Sequence, residues 1–449
     1  MMTPSPGGAM LSAAPSLASQ AEDAIYRKVW LRIIPFLFIC YVVSFLDRIN
    51  IGFAQLQMKQ DLGFSDAMYG LGAAVFYVGY VLCEVPSNMA LARFGARRTF
   101  SRIMVLWGLA SVGMMAVTDA THFYTLRFLL GVFEAGFFPG IVLYLSYWFP
   151  ARRRAAVMAI FFAGVAVAGV LGGLVSGWIM RDMAGVMGLY GWQWMFAIEG
   201  APAVVLGLLA IFLLADGPAQ AKWLSPEQRS FLQARHSQEA LRTHHVSAHS
   251  LAAFRQALSH RTTYLFAFIY FALTCGSLTL NFWMPLMIRD FGIKDVVEIS
   301  LYTVIPNAIG AVGLILIARR SDRRNERHGH FAVCTTGGAL ALAALTLHPS
   351  SFAVSLALLS IAAVLIFAAL PIFWSLPPGL LPAQTIASGV AFISSVGITS
   401  GIVSPWLIGL VKTRTGNMDI ALYILAGLLL LSGLTMWLLI PRKSPIPAN

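Results

Sequence analysis

Long apolar runs are the feature that most limits how this chain can fold. A helix that crosses the hydrocarbon core of a bilayer needs about 20 mostly apolar residues, and the sequence contains twelve stretches of this kind. Charged residues make up 11% of the chain, against about 25% in soluble proteins. We therefore predict an all-α membrane protein with twelve transmembrane helices, which excludes a soluble enzyme, a disordered chain and a disulfide scaffold. The predicted spans cover residues 30–56, 67–91, 100–118, 122–148, 154–179, 195–215, 263–288, 298–319, 330–348, 351–372, 382–411 and 418–440.

The predicted spans fall into two groups of six, separated by the longest polar gap. This gap contains the helix-like sequence SPEQRSFLQARH, and related sequences occur in the two halves: FPARRRAAV from Phe149 aligns with LPAQTIASG from Leu381. A parallel repeat is a common plan of transporters that bind their substrate between two bundles. The predicted parts are a flexible tail (1–24), a six-helix bundle (25–215), a central loop (216–262), a second six-helix bundle (263–441) and a tail (442–449).

The basic residues indicate the orientation. The predicted inner segments contain nearly four times as many lysines and arginines as the outer segments, and cytoplasmic loops are enriched in these residues. We therefore expect both termini and the central loop in the cytoplasm, with the chain in the inner membrane of a bacterium. The formal net charge of +12 reflects this orientation, so it does not indicate nucleic-acid binding.

Several ionisable residues lie inside the predicted spans, where an uncompensated charge costs several kcal/mol. At a rise of about 1.5 Å per residue, Asp47 and Arg127 lie at similar depth, which predicts an ion pair. Carboxylates can take up protons, whereas an arginine keeps its charge and holds a carboxylate with two hydrogen bonds. The ionisable residues of the predicted spans, all in the first half, are Asp47, Arg48, Glu84, Arg127, Glu134 and Glu199. Two acids and two arginines among them, Asp47, Glu134, Arg48 and Arg127, suit proton-linked movement of an organic anion; mutual neutralisation without transport is the alternative. Glu199, near the outer end of its span, is interpreted as structural.

The motifs FLDRINIGFA in the first span and RFLLGVFEAGFFPGIVLYLSYWFP in the fourth resemble the anion:cation symporter family of the major facilitator superfamily. The resemblance extends over about residues 25–440. It implies the major facilitator fold and import of organic anions, such as tartrate, phthalate, 4-hydroxyphenylacetate or sugar acids, with protons. It also implies that Asp47 and Glu134 carry protons. Arg48 would bind the substrate, and Arg127 would couple to Asp47.

Further candidates come from polar or aromatic residues within spans and from the inner loops. The substrate-binding candidates are Arg48, Tyr80, Asn281, Trp374, Ser375 and Ser394. Packing is the alternative for Tyr80, which lies in an aromatic stripe. The inner-loop pattern of the superfamily has Asp before Arg; Ala92 replaces that Asp in the first half, and Glu84 could substitute for it. The gate candidates are Glu84, Arg93, Arg97, Arg98, Asp322 and Arg323.

These observations predict a proton-coupled symporter that imports a small organic carboxylate by alternating access. A tartrate-like hydroxy acid and an aromatic carboxylate are both suitable substrates. We expect a monomer in the lipid bilayer, with protons as the coupling ion and with no cofactor, bound metal or enzymatic activity. An anion exchanger or uniporter of the same fold remains open, and so does a membrane sensor that binds an anion without moving it.

Overall fold

The computed structural model describes residues 17–244, 251–381 and 386–441. All regular elements among these residues are helices, and the helices coincide with the predicted apolar segments. Residues 382–385, at the start of the eleventh predicted span, are outside the described residues. The α-helices are α1 (Leu17–Leu62), α2 (Asp66–Phe94), α3 (Ala96–Gly113), α4 (Ala120–Glu134), α5 (Phe137–Trp148), α6 (Ala151–Asp182), α7 (Gly191–Leu213), α8 (Pro226–His244), α9 (Leu251–Ser259), α10 (Arg261–Asp290), α11 (Val296–Arg324), α12 (His328–Leu345), α13 (Phe352–Trp374), α14 (Pro377–Leu380), α15 (Ile386–Ile398), α16 (Ser400–Thr415) and α17 (Asp419–Leu439).

Ten helical stretches of the described residues are long and apolar enough to cross a membrane. They comprise α1, α2, α3, α4 with α5, α7, α10, α11, α13 with α14, α15 with α16, and α17. The two other predicted spans, in α6 and α12, are helical but do not belong to this set. The expectation of an all-α membrane protein is therefore confirmed, whereas the count of twelve spans stays a prediction.

The ends of the predicted domains differ from the structure in two places. Helix α1 already begins at Leu17, inside the predicted tail, and the tail 442–449 lies outside the described residues. The predicted loop 216–262 contains α8 and α9, and the helix-like sequence noted there is part of α8. The Oγ of Ser225 accepts the backbone N–H of Gln228, and the Gln228 side chain accepts the N–H of Ser225. This reciprocal capping starts α8.

Gly136 breaks the fourth apolar segment in its middle. Its φ of 83° lies in the left-handed region that favours glycine, so that α4 ends at Glu134 and α5 begins at Phe137. An added Cβ at Gly136 would lie 2.6 Å from the Cβ of Ser87. The Glu134 carboxyl is thereby placed at a helix C-terminus, where the partial negative charge of the helix disfavours a second negative charge. A cationic partner is needed to offset this.

The two halves meet through closely packed helix pairs near the ends that are predicted to face outward. Helix α2 packs against α16, α6 against α11 and α1 against α10. An added Cβ on Gly409 of α16 would lie 2.3 Å from the carbonyl oxygen of Asp66, and one on Gly173 of α6 would lie 2.8 Å from that of Ser300. Small residues let the backbones approach to this distance. Any larger side chain at these positions would separate the halves.

We expect Gly409→Leu to open this end of the transporter. The reporter is Asn307→Cys in a background without the native cysteines, because Asn307 lines a small cavity between the halves. Labelling by a membrane-impermeant maleimide from the outside should become faster in the Gly409→Leu variant. The control is Gly427→Leu in α17, where an added Cβ has no neighbour within 4 Å. Equal labelling rates in both variants would show that the glycine contact does not hold the halves together.

Candidate functional site

Arg48, whose side chain is 17% exposed, forms an ion pair with a buried carboxylate in the first half. Its Nη2 pairs with Oε1 of Glu134, whose side chain is 2% exposed. Ser44, one turn earlier on α1, donates its hydroxyl to the same oxygen at 2.8 Å. The pair therefore offsets the unfavourable helix end at Glu134. Breaking such a pair by removing one partner typically costs about 3–5 kcal/mol, because the other charge is left uncompensated.

Aromatic rings surround the Arg48 guanidinium. Its central carbon lies 5.3 Å from the ring centroid of Phe45, 5.6 Å from that of Phe76 and 5.4 Å from that of Tyr80. The faces of aromatic rings attract a cation. The rings also exclude water, which strengthens electrostatic interactions inside the site. The structure thus brings the predicted substrate-binding residues Arg48 and Tyr80 together.

Asp47, the residue before Arg48, points to a different helix. Its carboxylate accepts hydrogen bonds from Nε1 of Trp107, from Oγ of Ser111 at 2.5 Å and from Nδ2 of Asn50 at 3.2 Å. Trp107 and Ser111 lie on α3, four residues apart and therefore on one face. Neither residue was predicted from the sequence, although two polar groups at helical spacing within an apolar span were the available signal. These donors favour the ionised form of Asp47, which has no cationic partner among the ion pairs of the described residues.

The predicted ion pair between Asp47 and Arg127 is wrong. Arg127 is 1% exposed, its Nε donates to the carbonyl oxygen of Gly72 at 3.1 Å, and its guanidinium lies 4.9 Å from the ring centroid of Phe76. Helical rise gives the depth of a residue but not its direction around the helix axis. Asp47 faces α3, whereas Arg127 on α4 faces α2. Nη2 of Arg127 is buried without a hydrogen-bond partner in the described structure.

The second half contributes aromatic residues to this region. The ring of Tyr270 on α10 lies 4.8 Å from that of the predicted residue Trp374 and 5.1 Å from that of Phe373. Tyr270 also interacts electrostatically with Glu84 of α2 and with Tyr41 of α1. It therefore faces the first half across the space between the bundles. Tyr270 was not predicted from the sequence, where the only signal was a phenol hydroxyl within an apolar span.

The structure does not bring all predicted substrate residues to Arg48. Asn281 lines a cavity of about 10 Å³ between the halves, which is the size of one water molecule and too small for an organic anion. The hydroxyl of Ser375 donates to the carbonyl oxygen of Ile372 at 2.6 Å. Ser394 is half-buried on α15, one turn before Gly397, against which the Tyr270 ring packs.

The predicted gate residues are dispersed in the structure. Arg93, Arg97, Arg98 and Arg323 are exposed. Arg97 is held through its backbone N–H, which donates to Asp216 of the same half at 2.9 Å. Asp322 lies 3.5 Å from Arg327, again within one half. Glu84 lies one turn from Tyr80 and interacts electrostatically with Arg48, which places it with the central cluster. A gate between the halves stays a prediction.

Comparison with known proteins agrees with this architecture. Residues 37–405 match the profile of the Major Facilitator Superfamily. A "Putative tartrate transporter" of Agrobacterium vitis is 44% identical over 430 residues, which span 96% of this chain and 94% of the relative. A "Putative metabolite transport protein NicT" of Pseudomonas putida is 43% identical over 409 residues, which span 91% of this chain and 93% of the relative.

A solved structure shows the same fold. It is a bacterial homologue of the human lysosomal transporter Spinster, in an inward-facing and unoccupied conformation. The TM-score is 0.75 at 18% identity, with 94% of this chain and 99% of that chain covered. This likeness shows the fold, and the family match and the relatives show that the protein is a secondary transporter and not an enzyme. The chain belongs to the Major Facilitator Superfamily.

Proposed function

We propose that this transporter imports a small organic carboxylate together with protons. The observation that carries this proposal is the ion pair of Arg48 and Glu134, next to the cation-free carboxylate of Asp47. A fixed positive charge that is already held by a protonatable carboxylate can exchange that partner for the carboxylate of a substrate. The names of the relatives, a tartrate transporter and a metabolite transport protein, support an anionic metabolite.

The exchange explains how protons would drive the anion. Glu134 and the substrate carboxylate compete for the same guanidinium. Protonation of Glu134 removes its charge, weakens the pair and frees the planar fork of Arg48 for two hydrogen bonds to the substrate. Proton binding then favours substrate binding, and the reverse coupling must be equal in free energy. Arg127 keeps the region positive while both carboxylates are protonated.

The walls of the site are compatible with both predicted substrate classes. Tyr80 and Tyr270 offer hydroxyl groups to a hydroxy acid, and the rings around Arg48 and beside Trp374 offer faces to an aromatic acid. Aromatic rings gain from stacking with a flat substrate. A thermal-shift screen with tartrate, benzoate and 4-hydroxyphenylacetate distinguishes the classes, because a ligand that binds only the folded state raises its stability.

The proposal includes the orientation in the membrane. With α6 and α12 added to the ten apolar stretches, the chain would have twelve spans, and both termini would lie on the same side of the membrane. The excess of basic residues in the inner segments supports a cytoplasmic position for both termini, in a bacterium. The site would then alternate between the two sides of the inner membrane as the bundles rock.

Uptake into proteoliposomes tests the function. Radiolabelled ligands from the screen are added outside vesicles with an alkaline interior, with and without a protonophore. We expect the ligand to accumulate inside above its outside concentration, and we expect the protonophore to abolish this accumulation. Uptake that only equilibrates indicates a uniporter, and uptake that needs internal anion indicates an exchanger. Binding without any uptake would indicate a sensor, and each of these three outcomes contradicts the proposal.

A further inference from the structure

Helix α10 of the second half contains a proline near the end that is predicted to face outward, and the first half contacts the helix at this point. Pro285 has no N–H group to donate to the carbonyl oxygen of Asn281, four residues earlier, and its ring pushes against that carbonyl. An added Cβ on Gly52 of α1 would lie 3.5 Å from the carbonyl oxygen of Asn281 and 3.0 Å from that of Phe282. Backbone oxygens of α10 are thus directed to the other half beside the proline.

Two side chains of the first half donate to one of these oxygens. Nε2 of Gln55 on α1 donates to the carbonyl oxygen of Phe282 at 3.1 Å, and the hydroxyl of Tyr69 on α2 donates to the same oxygen at 3.3 Å. Both side chains are buried. The Tyr69 ring also packs edge-on against Trp283, with 5.2 Å between the ring centroids. Both hydrogen bonds therefore cross between the halves in a region that is shielded from solvent.

Burial makes these donors decisive for the contact between the halves. A hydrogen bond within a protein adds little to stability relative to one with water, whereas a buried oxygen that has lost every donor is costly. When the halves separate at this end, water can bind the carbonyl group of Phe282 and the side chains of Gln55 and Tyr69. When the halves close, a donor of the first half must replace that water.

We infer that Gln55, Tyr69 and the carbonyl group of Phe282 form a carbonyl lock, which lets this end of the transporter close only when a donor of the first half meets α10. The lock is reversible, because water takes the place of each partner when the halves separate. The inference goes beyond the proposed function: it involves neither the substrate nor the protons, and the lock would act in the same way at an empty and at an occupied site.

Pulsed electron paramagnetic resonance of the full-length protein in lipid nanodiscs measures the open and closed forms without substrate or a pH gradient. Spin labels are attached at Met187→Cys, between α6 and α7, and at Leu347→Cys, between α12 and α13, in a background without the native cysteines. Both positions are exposed, and they lie in different halves at the end that contains the carbonyl lock. Separation of the halves at this end adds a longer distance between the two labels.

The double variant Gln55→Met/Tyr69→Phe should raise the ratio of open to closed protein by about 5- to 100-fold, because the carbonyl group of Phe282 loses both donors in the closed form only. Each single variant keeps one donor and should change the ratio by less than about fivefold. The effect of the double variant should therefore exceed the product of the single effects, as expected for two donors that share one acceptor. The melting temperature of each variant identifies a loss of folding.

The matched control is Gln57→Met/Tyr144→Phe. It removes two hydrogen bonds from the same side-chain types to carbonyl oxygens within the first half, those of Met180 and Ala215, and should leave the ratio of the wild type. Wild-type distances in the double variant of the carbonyl lock would overturn the inference. Single effects that simply multiply to give the double effect would overturn it as well, because the two donors would then act independently.

Pro285→Ala tests how the oxygen is presented. Alanine supplies an N–H group for the carbonyl oxygen of Asn281, so that α10 can straighten and withdraw its carbonyl groups from α1. The populations should shift towards the open form although both donors are kept. The control is Pro202→Ala, at an exposed proline within α7; equal populations in the two variants would contradict the role of Pro285. Because none of these measurements needs transport, the carbonyl lock and the proposed function can fail separately.

Discussion

Arg48→Lys should weaken substrate binding by about 10- to 100-fold while the protein remains folded. Lysine keeps the positive charge and can still pair with Glu134, but it loses the planar fork that holds a carboxylate with two hydrogen bonds. Loss of one hydrogen bond to a charged group corresponds to about 1.5–3 kcal/mol, and each 1.4 kcal/mol is about tenfold in affinity. Isothermal titration with the ligand from the thermal-shift screen measures the change.

The control for this variant is Arg102→Lys, which makes the same change at an exposed position of α3 and should leave affinity unchanged. The melting temperature of both variants separates lost binding from lost folding. Near-normal affinity in Arg48→Lys would mean that another cation holds the substrate. Arg127 is the alternative, because its buried Nη2 has no hydrogen-bond partner in the described structure.

The fold could be predicted from the sequence because one physical constraint dominates it. Backbone polar groups in a bilayer must be satisfied internally, and apolar stretches of sufficient length therefore become helices, as α1, α10 and α17 illustrate. The breaks inside these stretches were not predicted. Gly136 lies in a sequence with several other glycines, and only the structure shows that its φ is positive.

The candidate site could be predicted in composition but not in its contacts. The cost of placing a charge in an apolar span identified Asp47, Arg48, Arg127 and Glu134, and in the structure these four residues lie within electrostatic reach of one another. The partner of each was not deducible, because a shift of one residue along a helix turns a side chain by about 100°. Arg48 therefore meets Glu134 on α4, while its neighbour Asp47 meets α3.

The two halves contribute different chemistry to the space between them. The first half supplies Arg48 and Glu134, with Asp47 turned towards α3 behind them, whereas the second half contributes Tyr270 and Trp374. The surroundings of the Arg48–Glu134 pair are held in place by the close packing of α2 against α4. An added Cβ on Gly131 of α4 would lie 1.9 Å from the carbonyl oxygen of Phe76 on α2. Coupling between protons and substrate would therefore be a property of the first half, whereas the second half would contact the part of the substrate that lies beyond its carboxylate.

Glu134→Gln should uncouple substrate binding from protons. The amide imitates a protonated carboxyl group: it can accept the Ser44 hydroxyl but carries no charge to compete for Arg48. In the wild type, falling pH should raise affinity, because protonation of Glu134 frees the guanidinium. In the variant, affinity should be independent of pH and, at alkaline pH, about tenfold tighter than in the wild type, since a charge-assisted competitor has been removed.

Transport by this variant should separate into two parts. Exchange of labelled for unlabelled ligand across the vesicle membrane should persist, because it needs no net proton movement, whereas accumulation driven by a pH gradient should be lost. Asp47→Asn is tested beside it, and Glu227→Gln, which alters an exposed carboxyl on α8, serves as the control. If Glu134→Gln and Asp47→Asn both still concentrate the ligand with the pH dependence of the wild type, then these carboxylates are structural, and protons must enter the cycle elsewhere.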